Sequence, residues 1–165
     1  MRIIVCGAGR VGSTIARYLA EDDNDVVLID TDEERLMDLT STMDVRPVVG
    51  FASYPSVLEQ ADAQDTDMLI AVTASDEVNM VTCQAANSLF KVPTKIARLR
   101  SNEYTNQKWR KFYMTLCRST SLFRPKSKSH GLSGAIFLSP ARLKLFLWRW
   151  TRFTCWEFIA TKCAR

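Results

Sequence analysis

Short apolar runs recur along the first hundred residues and alternate with amphipathic segments. The first two runs, residues 3–6 and 26–29, are continuously apolar, as expected for strands that are covered on both faces of a sheet. Between them, residues 11–21 place apolar side chains at helical spacing. This order of strand, helix and strand predicts a βαβ unit with two parallel strands.

The same alternation continues to about residue 100. A second helix is predicted to begin at Thr31 or Asp32, because either side chain can cap a helix whose apolar face carries Leu36 and Leu39. The further predicted elements are a strand at 46–50, a short helix at 57–61, a strand at 67–73, a helix at 78–90 and a strand at 95–100. Strands that alternate with helices form a parallel sheet, since each connection must cross over. We therefore predict an α/β fold over about 1–106, a Rossmann-like doubly wound parallel sheet.

A glycine-rich turn joins the first predicted strand to the first predicted helix. Its six residues are Gly7, Ala8, Gly9, Arg10, Val11 and Gly12. In this G-x-G-x-x-G pattern, Gly7 permits a tight turn, Gly9 lets the backbone approach a pyrophosphate, and Gly12 lets the helix pack against the strands. The helix N-terminus adds unpaired N–H groups and a positive dipole end. The turn predicts a site for a dinucleotide or adenine nucleotide; the alternative is a glycine turn kept only for packing.

An acidic residue ends the second predicted strand. Asp30 lies eighteen residues after Gly12, where a carboxylate can accept hydrogen bonds from a ribose diol. It also repels a 2′-phosphate, so NAD(H) is favoured over NADP(H). Ligands of doubly wound sheets lie outside the carboxyl ends of the strands, so we expect the loops at 50–53, 73–76 and 98–101 to lie at the same edge.

Charge and composition divide the chain in two. Residues 1–106 carry 9 Lys and Arg against 17 Asp and Glu, whereas residues 107–165 carry 13 against 1 and hold all four tryptophans and the single histidine. The five cysteines are scattered without a C-x-x-C pair, so we expect reduced thiols and no metal site. The N-terminus enters a strand directly, so no signal peptide is predicted. No stretch of eighteen uncharged apolar residues occurs, so no membrane-spanning helix is expected either.

Six segments taken together are more specific than the glycine turn alone: residues 1–12, 28–32, 49–53, 67–73, 76–80 and 96–98. Through them, residues 1–106 resemble the nucleotide-binding domains of Trk-type potassium-uptake regulators, the KTN or RCK family. The resemblance implies an NAD(H)-binding regulatory subunit, cytoplasmic and peripheral on the inner face of the membrane. It implies a membrane potassium transporter as partner, and a homo-oligomer formed through RCK domains if the chain is intact.

The resemblance also assigns residues by position. It places residues 7–11 at the pyrophosphate and Asp30 at the adenosine ribose. Thr73 and Ala74 would line the nucleotide at the end of the fourth strand, and Arg98 would face it from the fifth.

One position departs from the family pattern. Many members carry an acid directly after the glycine at position 50, whereas this chain has Phe51, so no role of an acid transfers. Arg98 and Arg100 are two residues apart and share one face of a strand, which leaves an electrostatic role open for both. Asp76 and Glu77 fit the acidic first turn of a helix, with a nucleotide or cation contact as the alternative.

The alternation of strands and helices is lost from about residue 107. Our hypothesis is that a reading-frame change near residues 106–120 replaced the family sequence with a basic, tryptophan-rich tail that is irregular or poorly ordered. One alternative is a membrane-surface helix around residues 143–156. Another is nucleic-acid binding, but no module pattern supports it, so we expect no nucleic-acid partner.

Two functions remain open from the sequence. The first is a regulator without enzymatic activity, in which NAD(H) biases a potassium transporter. The second is a fragment of an NAD-dependent oxidoreductase. Tyr104 and Lys108 have the Y-x-x-x-K spacing of short-chain dehydrogenases, but a chance match on a helix surface is favoured. We predict no catalytic residue.

Overall fold

The computed structural model describes residues 1–105, 120–123 and 158–159. The strands of this part are β1 (Arg2–Cys6), β2 (Asp25–Asp30), β3 (Arg46–Val49), β4 (Met68–Ala71), β5 (Thr94–Arg98), β6 (Thr120–Phe123) and β7 (Phe158–Ile159). The helices are α1 (Arg10–Glu21), α2 (Glu33–Thr40), α3 (Pro55–Gln60), α4 (Asp76–Ser88) and α5 (Asn102–Thr105), with a 3₁₀ turn at Ala63–Asp65.

The described strands form one sheet in the order β3-β2-β1-β4-β5-β6-β7. Strands β1 to β6 are parallel to their neighbours, and only β7 runs antiparallel, against β6. The chain winds outward from β1 to β3, then returns to the other side of β1 and winds outward again. This reversal creates a crevice at the carboxyl ends of β1 and β4, which is where doubly wound sheets bind ligands. The predicted Rossmann-like sheet is confirmed.

Alternate residues of β1 enter two separate cores. Ile3 and Val5 pack with α1 and α2 on one face of the sheet. Ile4 and Cys6 pack with α3 and α4 on the other. Coverage of both faces explains why the runs at 3–6 and 26–29 are continuously apolar. Cys6 is fully buried in this second core, and burial raises the pKa of its thiol above the ordinary value.

The fifth strand ends two residues earlier than predicted. The backbone N–H groups of Arg100 and Ser101 each donate to Oδ2 of Asp76, at 2.7 Å. The chain therefore leaves the sheet at Arg98 and crosses to the start of α4. A buried side chain from a distant part of the sequence sets this boundary, which no local periodicity can encode.

The sheet continues beyond the part of the chain for which strands were predicted. β6 pairs in parallel with β5, and β7 adds to β6. Neither strand is predicted by the sequence pattern. The proposed membrane-surface helix at 143–156 and the Lys108 of the Y-x-x-x-K spacing lie outside the described residues. Among the described residues, no helix is long and apolar enough to cross a membrane.

Candidate functional site

A cleft of about 600 Å³ opens at the carboxyl edge of the sheet, over the crevice between β1 and β4. Loops that follow β1 to β5 all contribute to its walls. The predicted site residues that line it are Gly7, Gly9, Arg10, Val11, Asp30, Thr73, Ala74 and Arg98. Ala8 and Gly12 do not line the cleft, but Ala8 N–H donates to Asp30 and Gly12 packs against Gly7, and both Asp30 and Gly7 do line it. The structure therefore brings the residues of four separate loops to one place.

The glycine turn has a different steric requirement at each glycine. Gly7 has a φ of 105°, a backbone conformation that favours glycine, and a Cβ there would lie 3.0 Å from Thr73 Cα. A Cβ on Gly12 would lie 1.7 Å from the carbonyl oxygen of Gly7, so helix α1 packs directly on the turn. A Cβ on Gly9 would meet no heavy atom within 4 Å and would point into open space. Gly9 is thus the glycine that leaves room for a ligand.

The N-terminus of α1 is open toward the cleft. Gly9 is its N-cap residue and supplies no side-chain hydrogen bond. Gly9, Arg10 and Val11 all line the cleft. The first N–H groups of a helix have no partner within the helix, and they carry the positive end of its dipole. This geometry suits a phosphate group.

Asp30 joins the loops that follow the first three strands. Its Oδ2 accepts a hydrogen bond from the backbone N–H of Ala8 at 2.5 Å, and its Oδ1 accepts one from Asp32 N–H at 3.0 Å. Its backbone carbonyl accepts from Gly50 N–H at 2.8 Å. A carboxylate has about four acceptor sites, so the half-buried side chain retains capacity for ribose hydroxyls.

The side-chain amide of Asn79, which was not among the predicted site residues, holds the wall formed by the ends of β4 and β5. Asn79 is completely buried in α4. Its Oδ1 accepts from the backbone N–H of Thr73 at 2.8 Å and from the Thr73 hydroxyl at 2.7 Å, while its Nδ2 donates to the carbonyl of Arg98 at 2.9 Å. Asn79 therefore fixes the ends of β4 and β5 relative to each other. The sequence contained one sign of this role: Asn79 is a polar residue on the helix face that otherwise carries the apolar residues Cys83 and Ala86.

Two arginines follow one another on this wall. Arg98 and Arg100 both line the cleft, although Arg100 lies beyond the end of β5 and so does not share a strand face with Arg98. Burial lowers the pKa of Arg98 below its ordinary value, the charge of Arg100 lowers it further, and Asp76 opposes both. The Nε of Arg98 is buried without a hydrogen-bond partner in the described part of the chain. A ligand with an acceptor oxygen fits this orphaned donor.

Asp76 and Glu77 are engaged with neighbouring protein groups. Asp76 is almost fully buried and lies 3.7 Å from the Arg100 guanidinium, in addition to binding the two backbone N–H groups described above. Glu77 accepts hydrogen bonds from the hydroxyls of Tyr104, at 2.6 Å, and Ser75, at 2.7 Å. These bonds lower the pKa of Glu77 to about 2. The two carboxylates thus fasten the segment after β5 to the start of α4.

The charges that line the cleft favour an anionic ligand. Its lining includes the arginines at 10, 35, 98 and 100, against the single carboxylate of Asp30. Arg35 is paired with Asp32 at 2.9 Å, and Arg100 faces Asp76. The described residues contain no cluster of three or more metal-ligating side chains. The arginines can donate to a phosphate and Asp30 can accept from ribose hydroxyls, so a molecule that contains both a phosphate and a ribose matches this lining.

Comparison with known proteins identifies the family. Residues 3–114 match the TrkA-N domain family. The chain belongs to this family. The resemblance drawn from the six sequence segments is thereby confirmed.

Among curated relatives, the Trk system potassium uptake protein TrkA of Halomonas elongata is 54% identical over 108 residues. That alignment covers 66% of this chain but 24% of the relative, so the chain spans about a quarter of the relative's length. The TrkA-N domain of the inner membrane protein ybaL from Escherichia coli superposes with a TM-score of 0.62 at 17% identity, covering 90% of this chain and 94% of that one. The GsuK channel bound to NAD gives 0.55 at 20%, covering 62% and 18%. These structures confirm the fold.

Proposed function

We propose that the described domain binds NAD(H) and serves as the nucleotide-sensing part of a Trk-type potassium-uptake regulator. The observation that carries the proposal is the meeting, in one arginine-rich cleft, of an open glycine turn and the carboxylate of Asp30. The glycine turn suits a pyrophosphate. The carboxylate suits an unphosphorylated ribose.

Each wall of the cleft has a separate role in this proposal. Gly9, Arg10 and the uncapped start of α1 hold the pyrophosphate, and Asp30 accepts from the hydroxyls of the adenosine ribose. Thr73 and Ala74 line the second half of the dinucleotide. Arg98 offers its buried Nε to an acceptor oxygen of that half. When bound, NAD(H) supplies a redox-dependent charge on its nicotinamide ring, which a sensor can distinguish.

Regulation requires that nucleotide states favour different conformations of a partner. The partner in this proposal is a membrane potassium transporter, and the domain lies in the cytoplasm against the inner face of the membrane, within a homo-oligomer of RCK-type domains. Support comes from the names of two similar proteins, the potassium uptake protein of Halomonas elongata and the GsuK channel bound to NAD. The chain spans about a quarter of the first of these proteins.

The potassium-uptake name of the curated relative favours a regulator over the alternative of an oxidoreductase fragment. The predicted absence of enzymatic activity agrees with that name. The Tyr104 hydroxyl, which a short-chain dehydrogenase would use for proton transfer, donates instead to Glu77.

Measuring NADH binding and NAD⁺ reduction on the same protein distinguishes a regulator from an oxidoreductase fragment. The full chain is titrated with NADH by calorimetry and is also incubated with NAD⁺ and a panel of alcohols and hydroxy acids. We expect saturable NADH binding without the appearance of NADH absorbance. Steady NADH production would overturn the regulatory proposal in favour of the oxidoreductase. Failure to bind any adenine nucleotide would overturn both.

A further inference from the structure

An exposed aromatic pair borders the cleft on the side of Asp30. Phe51 and Tyr54 are each 55% exposed. Their ring centroids are 5.3 Å apart and their planes are inclined by 40°, within the range of a favourable tilted aromatic pair. Phe51 lines the cleft itself. A single exposed apolar side chain is normal on a protein surface. Two aromatic rings packed together at the mouth of an arginine-lined cleft are unusual and suggest a role in binding.

The backbone fixes Phe51 relative to the ribose carboxylate. The preceding residue, Gly50, donates its N–H to the carbonyl of Asp30 at 2.8 Å. Gly50 also passes close to α3, since a Cβ on it would lie 2.7 Å from Cγ2 of Val57. On the other side, Tyr54 N–H donates to the carbonyl of Phe51 at 2.9 Å. The backbone that carries Phe51 is therefore fixed on both sides of this residue.

We propose that Phe51 is a stacking platform for the purine base of the bound nucleotide, with the ring of Tyr54 packed against it. The inference rests on the proposed nucleotide site and adds a residue that determines its ligand. A nucleoside whose ribose hydroxyls bind Asp30 carries its base on the adjacent ribose carbon. The loop after β3, which carries Phe51, is bonded to Asp30 and so lies next to that position.

The chemistry of the platform sets the ligand class. A phenyl ring offers a flat apolar face and no hydrogen-bonding groups, so it selects a stacking base and does not read the edge of that base. The larger ring system of a purine covers more of Phe51 than a pyrimidine does. Phe51 therefore favours adenine nucleotides over ribose phosphates that lack a base.

The test compares ligands with and without a base. Calorimetry measures the affinity of the full chain for AMP and for ribose 5-phosphate, in the unsubstituted protein and in Phe51→Ala. Stacking predicts that Phe51→Ala lowers the affinity for AMP by about tenfold or more and changes the affinity for ribose 5-phosphate by less than about twofold. Phe51→Trp retains AMP binding, and the tryptophan fluorescence added by that substitution is quenched by AMP.

A second aromatic residue provides a matched control. Tyr18→Ala removes an aromatic ring that is 52% exposed on α1 and lies outside the cleft lining, so it should bind AMP like the unsubstituted chain. Equal AMP affinity in Phe51→Ala and the unsubstituted chain would overturn the stacking role while leaving the nucleotide site intact. Equal losses for AMP and ribose 5-phosphate would also overturn it, since they indicate a displaced loop. If the unsubstituted chain binds neither NADH nor AMP, the proposed function fails and this inference fails with it.

Discussion

Single atoms decide what each glycine of the turn tolerates. A Cβ on Gly12 collides with the Gly7 carbonyl oxygen at 1.7 Å, whereas a Cβ on Gly9 meets no atom within 4 Å. The G-x-G-x-x-G motif predicts different roles for the two positions, and the space around each Cβ differs in the same sense. The Gly12 position is filled by the packing of helix on turn, and the Gly9 position faces open space.

Alanine at these two positions should therefore separate stability from binding. We expect Gly12→Ala to lower the free energy of unfolding by about 1–3 kcal/mol or more, the scale of overpacking, as measured by urea denaturation. Gly9→Ala should change it by less than about 1 kcal/mol, because the added methyl meets open space and only the helix cap changes. Gly9→Ala should nevertheless weaken NADH binding. If Gly9→Ala bound NADH like the unsubstituted chain, the turn would not hold the pyrophosphate.

The hydrogen bonds of Glu77 give a pH-dependent readout at the same scale. Its pKa is lowered from 4.5 to about 2 by the hydroxyls of Tyr104 and Ser75. Because the folded pKa is depressed, the stabilisation is present above about pH 4.5 and is lost as the pH falls toward 2. An NMR titration should place the Glu77 midpoint near 2, and Tyr104→Phe should move it upward. A midpoint that does not move in Tyr104→Phe would contradict the assigned cause.

The elements show what a sequence can and cannot reveal. The strands and the glycine turn were predictable because continuous apolar runs and helical periodicity are local signals. The end of β5 was not, because it depends on Asp76 reaching the backbone of residues that follow twenty-four positions later. Asn79 was overlooked for the same reason, since its partners at Thr73 and Arg98 come together only in the fold. β6 and β7 lie where strand and helix no longer alternate, so the pairing of β6 with β5 and of β7 with β6 is likewise visible only in three dimensions.

Asn79 offers a test of how α4 shapes the cleft. Asn79→Ala leaves the Thr73 N–H and the Arg98 carbonyl without their partner, at a cost of about 1–3 kcal/mol for each buried group left unsatisfied. We expect urea denaturation to show a loss of about 2–4 kcal/mol, and calorimetry to show weaker NADH binding. Asn87→Ala, a half-buried position on the same helix outside this network, is the control. Equal stabilities of the two variants would show that the network does not hold β4 and β5 together.

At the scale of the whole molecule, the described domain is a TrkA-N domain with an arginine-lined cleft at its topological switch point. Residues 1–106 carry 9 basic against 17 acidic side chains, so the arginines of the cleft lie within an otherwise acidic domain. The proposed binding of phosphates therefore depends on the local placement of these arginines and not on the net charge of the domain. The proposed regulator depends on this cleft distinguishing one nucleotide from another.

The most direct test of that claim is a calorimetric titration of the full chain with NADH and with NADPH. The unsubstituted chain should bind NADH at least about tenfold more tightly, because Asp30 accepts from a free ribose diol and repels a 2′-phosphate. Asp30→Ala should weaken the binding of NADH by about 1–3 kcal/mol, the scale for a lost polar partner. It should also reduce the preference of the protein for NADH over NADPH. Asp38→Ala, an exposed acid on α2, should change neither affinity. Equal affinity for NADH and NADPH, or an Asp30→Ala variant that binds NADH as tightly as the unsubstituted chain, would contradict the account.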